Sequence, residues 1–144
     1  MNQAIIDNSP QALVDRLART TNAHDLDALV DCFAVDYRNE TPAHPARGFS
    51  GREQVRTNWQ QIFAGVPDLR VTVLGSAVAG DTIWTEWEMA GTRLDGTEHL
   101  MRGVILFGVA AGRASWARFY LEPVQHGGGT VDSAVAAQLK GGVR

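Results

Sequence analysis

Residues 82–92, "TIWTEWEMAGT", decide how this chain is read. Ile, Trp and Thr dominate the stretch, and β-branched and aromatic residues suit a strand. Glu86 and Glu88 lie two residues apart, so on a strand both carboxylates leave by the same face. Either that face is solvated, or it holds a pair of acids inside a pocket.

Working outward, Asp95-Gly96 follows at once and is a strong two-residue hairpin signal. The return strand is "EHLMRGVILFGV", residues 98–109. A two-residue turn sets Leu94 opposite Thr97, Glu88 opposite Gly103 and Glu86 opposite Ile105. Trp84, Ala90, Met101 and Phe107 then share the glutamates' face. The other face carries Ile83, Thr85, Trp87, Met89, Leu100, Arg102, Val104 and Leu106. Both faces are largely apolar, so patterning does not choose between them. A sheet with two apolar faces packs helices on one side and a partner chain on the other, which predicts a homodimer through the outer sheet face.

The hairpin is flanked by two more strands. "LRVTVLGSAVA" precedes it and ends at a Gly80-Asp81 turn; "RASWARFYLEPV" follows an Ala111-Gly112 turn and stops at Pro123. Before residue 69 the apolar period is helical. Ser9-Pro10 opens a first helix with Leu13, Val14, Leu17 and Ala18 as its stripe. Asp25 caps a second, with Leu26, Leu29, Val30 and Phe33. "VDYRNE" is a short extended piece, and "TPAHPARGF" is a loop. Ser50-Gly51-Arg52-Glu53 has capping-box spacing and opens a third helix, which Gly65 and Pro67 stop. The tail "QHGGGTVDSAVAAQLKGGVR" begins with three glycines and carries one or two helical turns around 131–140.

This order predicts an α+β fold: a curved antiparallel sheet wrapped by three N-terminal helices, cone-shaped, with an apolar cavity. Residues 1–124 are read as one domain and 125–144 as a Gly-rich flexible C-terminal tail.

Totals agree. The 144 residues are 44% hydrophobic and 20% charged, as in a globular domain. A net charge of −3 gives no basic footprint for nucleic acid or an acidic membrane surface. Cys32, the single cysteine, fits a reducing cytoplasm and reads as a small core residue. His24, His44, His99 and His126 are scattered, without zinc spacing. The first residues lack the basic start and long apolar run of a signal peptide. No stretch reaches membrane-spanning length. No cofactor is expected.

The element order, "DYRNE" after helix 2, "GR" before helix 3 and "GVAAGRASWARFYLEPV" near the end resemble the SnoaL-like branch of the nuclear transport factor 2-like superfamily, over roughly residues 9–124. That resemblance implies a cystatin-like roll. Its relatives include SnoaL-type polyketide cyclases, ketosteroid isomerase, limonene epoxide hydrolase and noncatalytic binders, so fold alone does not name an activity. Tyr37-Arg38-Asn39 is similar to the Tyr-x-Asn that holds the attacking water in limonene epoxide hydrolase. Its Arg-x-Asp falls on Glu86 and Glu88, which implies that both face the cavity. Its last aspartate falls at Phe119, as does the cyclases'. The cyclases' other polar positions fall at Gly103, Ile105 and Ala117. The resemblance puts Ala117, Phe119 and Leu121 inside, whereas a simple turn at Ala111-Gly112 puts Arg118, Tyr120 and Glu122 there. A β-bulge would reconcile the two.

If the glutamates face the pocket, one keeps its proton and the pair supplies an acid and a base. Tyr37 and Asn39 then polarise a carbonyl or orient a water, and His99 is a further base. The expected catalytic set is Glu88, Glu86, Tyr37, Asn39 and His99. The expected lining is Trp59, Phe63, Trp84, Met101, Ile105 and Phe119, suited to a small apolar molecule with rings, polyketide- or terpenoid-like. His44 is either a lid residue or a surface one. Glu122 either enters the pocket or ends its strand at the surface. The expected activity is a cofactor-independent cyclisation, isomerisation, dehydration or epoxide opening. The alternative is a noncatalytic binding or dimerisation module.

Overall fold

The computed structural model describes residues 7–140. The start of the chain and the last four residues of the tail lie outside the described residues. Among the described residues there are four helices: α1 (Pro10–Asn22), α2 (Leu26–Asp31), α3 (Arg52–Gly65) and α4 (Val131–Leu139). Six strands join them: β1 (Phe33–Glu40), β2 (Phe49–Ser50), β3 (Arg70–Ala79), β4 (Thr82–Thr92), β5 (Glu98–Ala110) and β6 (Arg113–Pro123). A 3-10 turn, Pro45–Arg47, sits between β1 and β2.

Local chemistry sets most boundaries. The Ala12 amide donates to Ser9 Oγ at 3.2 Å, and the Ala28 amide to Asp25 Oδ1 at 3.2 Å, so both expected caps form. The capping box expected at Ser50 does not. Ser50 is drawn into β2, paired with Arg38, and Gly51 takes the N-cap position with no side-chain cap.

The strands lie in the order β2-β1-β6-β5-β4-β3. β3 to β6 run antiparallel as expected, but β1 lies parallel to β6, so the sheet is mixed rather than wholly antiparallel. α1 to α3 cover one face. There Leu13, Val14 and Leu17 of α1 and Leu29 of α2 share a core with Ile83, Trp87, Ile105 and Phe107. Cys32 is fully buried in it. Buried polar atoms are matched: Trp87 Nε1 donates to Thr85 Oγ1 at 2.6 Å, and that hydroxyl donates to the Ile105 carbonyl at 2.6 Å. At the free edge of the sheet, Asn22 stands in for a neighbouring strand. Its amide donates to the Val71 carbonyl at 3.0 Å and accepts from the Val71 N–H at 2.7 Å.

Two details of register orient every side chain. The β4–β5 loop spans three residues, Leu94-Asp95-Gly96, closed by Arg93 N–H to the Thr97 carbonyl at 2.9 Å. Gly96 takes the left-handed position this loop needs, φ +85°. The pairing therefore differs by one residue from a two-residue turn: Glu88 faces Arg102, Glu86 faces Val104, and Trp87 faces Gly103. The β5–β6 turn does have two residues, with Ala110 opposite Arg113. A bulge between Gly108 and Val109 then shifts β6 by one residue.

Among the described residues no helix is long and apolar enough to cross a membrane. α4 buries no side chain.

Candidate functional site: an apolar cup between α3 and the sheet

The face of the sheet under α3 forms the floor of a cavity of about 390 Å³. Alternation on β1 turns Tyr37 and Asn39 inward while Arg38 stays exposed. The three-residue loop turns Met89, His99 and Met101 inward, and the bulge turns Phe119 and Leu121 the same way. α3 closes the cup with Val55, Trp59 and Ile62, spaced four and three residues apart on one helical face, and with Asn58 beside them. Phe49, Thr41 and Arg47 form the rim on the side of the Pro-rich loop.

The polar groups are few. The Tyr37 hydroxyl donates to Asn39 Oδ1 at 2.8 Å. With its oxygen occupied, the Asn39 amide offers its N–H groups to the cavity. Burial pushes the Tyr37 phenol well above its ordinary range, so it remains a neutral donor. His99 is held below the usual histidine value of 6.5, first by desolvation and then by the nearby Arg93 charge. Its imidazole is therefore neutral at pH 7 and able to accept a proton. A wider groove of about 670 Å³ opens beside the cup at the β4–β5 hairpin tip. Asn58, Ile62 and His99 line both spaces.

Of the expected catalytic residues, Tyr37, Asn39 and His99 come together in the cup. Glu86 and Glu88 do not. They project from the opposite, outer face of the sheet, where Arg102 Nε donates to Glu88 Oε2 at 2.8 Å. The cause is the extra loop residue, which reverses the face each β5 residue shares with β4. Gly103 accordingly leaves room opposite Trp87, not beside a carboxylate.

Of the expected lining, Trp59, Met101 and Phe119 face the cup. Ile105 lies in the core, 2% exposed. Phe63 stacks on His24 with ring centres 4.4 Å apart. Trp84 is half-exposed on the outer face, in the same parity as the glutamates. Of the two open alternatives on β6, Ala117, Phe119 and Leu121 are inside, while Arg118, Tyr120 and Glu122 are outside. Glu122 ends its strand at the surface, where its Oε1 lies 2.8 Å from His44 Nε2. Among the described residues no three His, Cys, Asp or Glu side chains gather as a metal site.

Sequence reasoning missed Met89, Asn58, Thr41 and Arg47, and placed Leu121 inside only through the resemblance. Met89 and Leu121 follow from parity once the loop and bulge are known. Asn58 was legible as the neighbour of Trp59 on the inward side of α3. No local pattern announces Thr41 or Arg47, because a loop has no period.

The SnoaL-like domain matches residues 14–117. This chain belongs to the SnoaL-like family. No curated protein matches its sequence. Solved structures do match its fold. A putative SnoaL-like polyketide cyclase from Jannaschia sp. CCS1 is 23% identical, with a TM-score of 0.66 over 84% of this chain and 92% of that one. A Mycobacterium tuberculosis protein in complex with estradiol-17β-hemisuccinate is 22% identical, with a TM-score of 0.67 over 80% and 94%. A computationally designed 17-OHP binder is 24% identical, with a TM-score of 0.66 over 76% and 90%. At these identities the likeness is one of fold. The SnoaL-like cup of this protein differs from the expectation drawn from that family in one chemical respect: no carboxylate lines it among the described residues.

Proposed function

We propose that the cup binds a small apolar molecule containing rings and a carbonyl, polyketide- or terpenoid-like, and rearranges it by cofactor-independent proton transfer. The observation that carries this reading is the composition of the cavity. Its walls are aromatic and aliphatic, and its polar groups are a neutral histidine and a buried Tyr–Asn pair. His99 takes a proton from the carbon next to the ligand carbonyl. The Asn39 N–H, backed by Tyr37, receives the charge that develops on the carbonyl oxygen. Return of the proton at another carbon is an isomerisation; attack by the enolate carbon on a second carbonyl carbon of the same molecule, whose C=O π bond opens and whose oxygen takes the proton from His99, is a cyclisation. Loss of a β-hydroxyl group from the same enolate, protonated by His99 as it leaves, is a dehydration; for epoxide opening the cup lacks the acids that the resemblance to limonene epoxide hydrolase implied.

The same absence of a carboxylate favours a second reading, a noncatalytic carrier of the same class of ligand. Titration of the intrinsic fluorescence with ring compounds tests the first step, since Trp59 lies in the wall. Incubation of bound carbonyl compounds in deuterated water separates the two readings. An enzyme exchanges the α-proton, and His99→Ala abolishes the exchange. Binding without exchange identifies the carrier. We also propose that two copies associate through the outer sheet face, where Trp84 and Tyr120 are 51% and 46% exposed.

A further inference from the structure

Arg47 combines two features, a side chain without a partner and a place on the cup lining. Arg38, Arg56, Arg102, Arg113 and Arg118 each lie within ion-pair distance of a carboxylate. Arg47 has no ion-pair or hydrogen-bond partner for its side chain among the described residues, although the chain carries a net charge of −3. Arg19, Arg70 and Lys140 likewise have none, but among the described residues Arg47 is the one arginine on the cup lining.

Its position is built. The 3-10 turn Pro45–Arg47 is closed by the Arg47 N–H to the His44 carbonyl at 2.9 Å and the Gly48 N–H to the Pro45 carbonyl at 3.1 Å. On one side the turn is tied down by His44 against Glu122 at 2.8 Å. On the other, Phe49 pairs with Asn39 in the sheet. The turn thus fixes the Arg47 backbone at the rim of an apolar cavity, and its exposed side chain has no carboxylate within ion-pair distance among the described residues. A ligand seated in the cavity would cover this exposed guanidinium in part and so strengthen its attraction for an anion relative to open water.

We propose that Arg47 is a specificity residue for a carboxylate on the ligand. The inference rests on the reading of the cup as a small-molecule site, and it narrows the substrate class to ring compounds bearing an acid. The ring system fills the apolar cavity, a carbonyl meets the Asn39 amide, and the carboxylate lies at the rim against the planar guanidinium. That geometry suits a two-bonded carboxylate better than a point charge.

Estradiol-17β-hemisuccinate is compared with estradiol, which has the same rings without the acid, and with the hemisuccinate methyl ester, which keeps the linker and its carbonyl but is neutral; a gain shared by the methyl ester is assigned to the linker and not to the carboxylate. The three affinities are measured for the wild-type protein and for Arg47→Gln, Arg47→Lys and Arg70→Gln, the last removing an exposed charge away from the cup. The hemisuccinate is expected to bind about five- to tenfold tighter than estradiol or the methyl ester to the wild type. Arg47→Gln removes that preference, Arg47→Lys keeps part of it, and Arg70→Gln leaves it intact. Estradiol affinity changes less than about twofold in all three variants. Equal affinities for the hemisuccinate and its methyl ester in the wild type, or a preference that survives Arg47→Gln, would overturn the inference while leaving the cup reading in place. Failure of all three probes to bind the wild type overturns the cup reading, and this inference with it.

Discussion

The Tyr37 hydroxyl donates a hydrogen bond to Asn39 Oδ1 at 2.8 Å, and both residues are buried. Two side chains on one strand face thereby become one unit, with its acceptor satisfied and its amide donor left over. Tyr37→Phe strands the Asn39 oxygen in that environment. Loss of about 1–2 kcal/mol of unfolding free energy is expected, measured by denaturant titration. Carbonyl-containing ligands should lose more affinity than hydrocarbons of the same shape; equal losses would mean that the pair is structural only.

His99 sets the acid side of the pH dependence. Its folded value lies below 6.5, through desolvation and then the Arg93 charge. The unfolded chain therefore binds this proton more readily, and stability falls as pH drops below about 6.5. His99→Gln should flatten that acid limb of a stability–pH curve. In the wild type, the midpoint of any acid-side fall in a rate that depends on His99 should lie below pH 6.5. A midpoint at or above pH 6.5 would contradict this assignment.

Glu86 and Glu88 sit on the outer face, so the double replacement by Gln should leave ligand affinity unchanged. Its cost in stability should be below about 1 kcal/mol, since the Glu88–Arg102 pair is exposed. A large loss of binding or activity would show that the register of β4 on β5 is not the one described.

Gly103 is opposite Trp87 on one side and Leu121 on the other, with φ +155°. A methyl group there would meet the Tyr120 carbonyl oxygen of the adjacent strand. Gly103→Ala should destabilise the fold by about 1–3 kcal/mol or more, seen as a lower midpoint in thermal or denaturant unfolding.

Association through the outer face predicts a dimer by sedimentation. Trp84→Glu should shift it toward monomer without altering the cup, which lies on the other side of the sheet. A wild-type monomer at high micromolar concentration would exclude the arrangement.

Much of the fold was legible because it rests on local chemistry. Ser9 and Asp25 mark helix starts by the backbone amides they accept, and Gly80-Asp81 and Ala111-Gly112 mark two-residue turns by backbone conformation. Strand alternation likewise put Tyr37 and Asn39 on one face with no tertiary information. The resemblance to the SnoaL-like family correctly turned Phe119 inward, where a plain hairpin count turned Arg118.

Position along the sequence thus determined the elements, their order and the presence of a cup, because caps, turns and periodicity act over a few residues. It could not determine which face of β4 is inside. Trp84, Glu86 and Glu88 alternate with Ile83, Thr85 and Trp87, and both sets carry enough apolar surface to be buried. One additional residue in the loop at Gly96 and one bulge at Gly108 decide the matter, since a side-chain period of two is inverted by any odd shift. Those shifts depend on how the whole sheet bends to meet α1 and α3. Only the packed structure therefore shows that the acids lie outside, and that His99 and Arg47 converge on the cup with Tyr37 and Asn39.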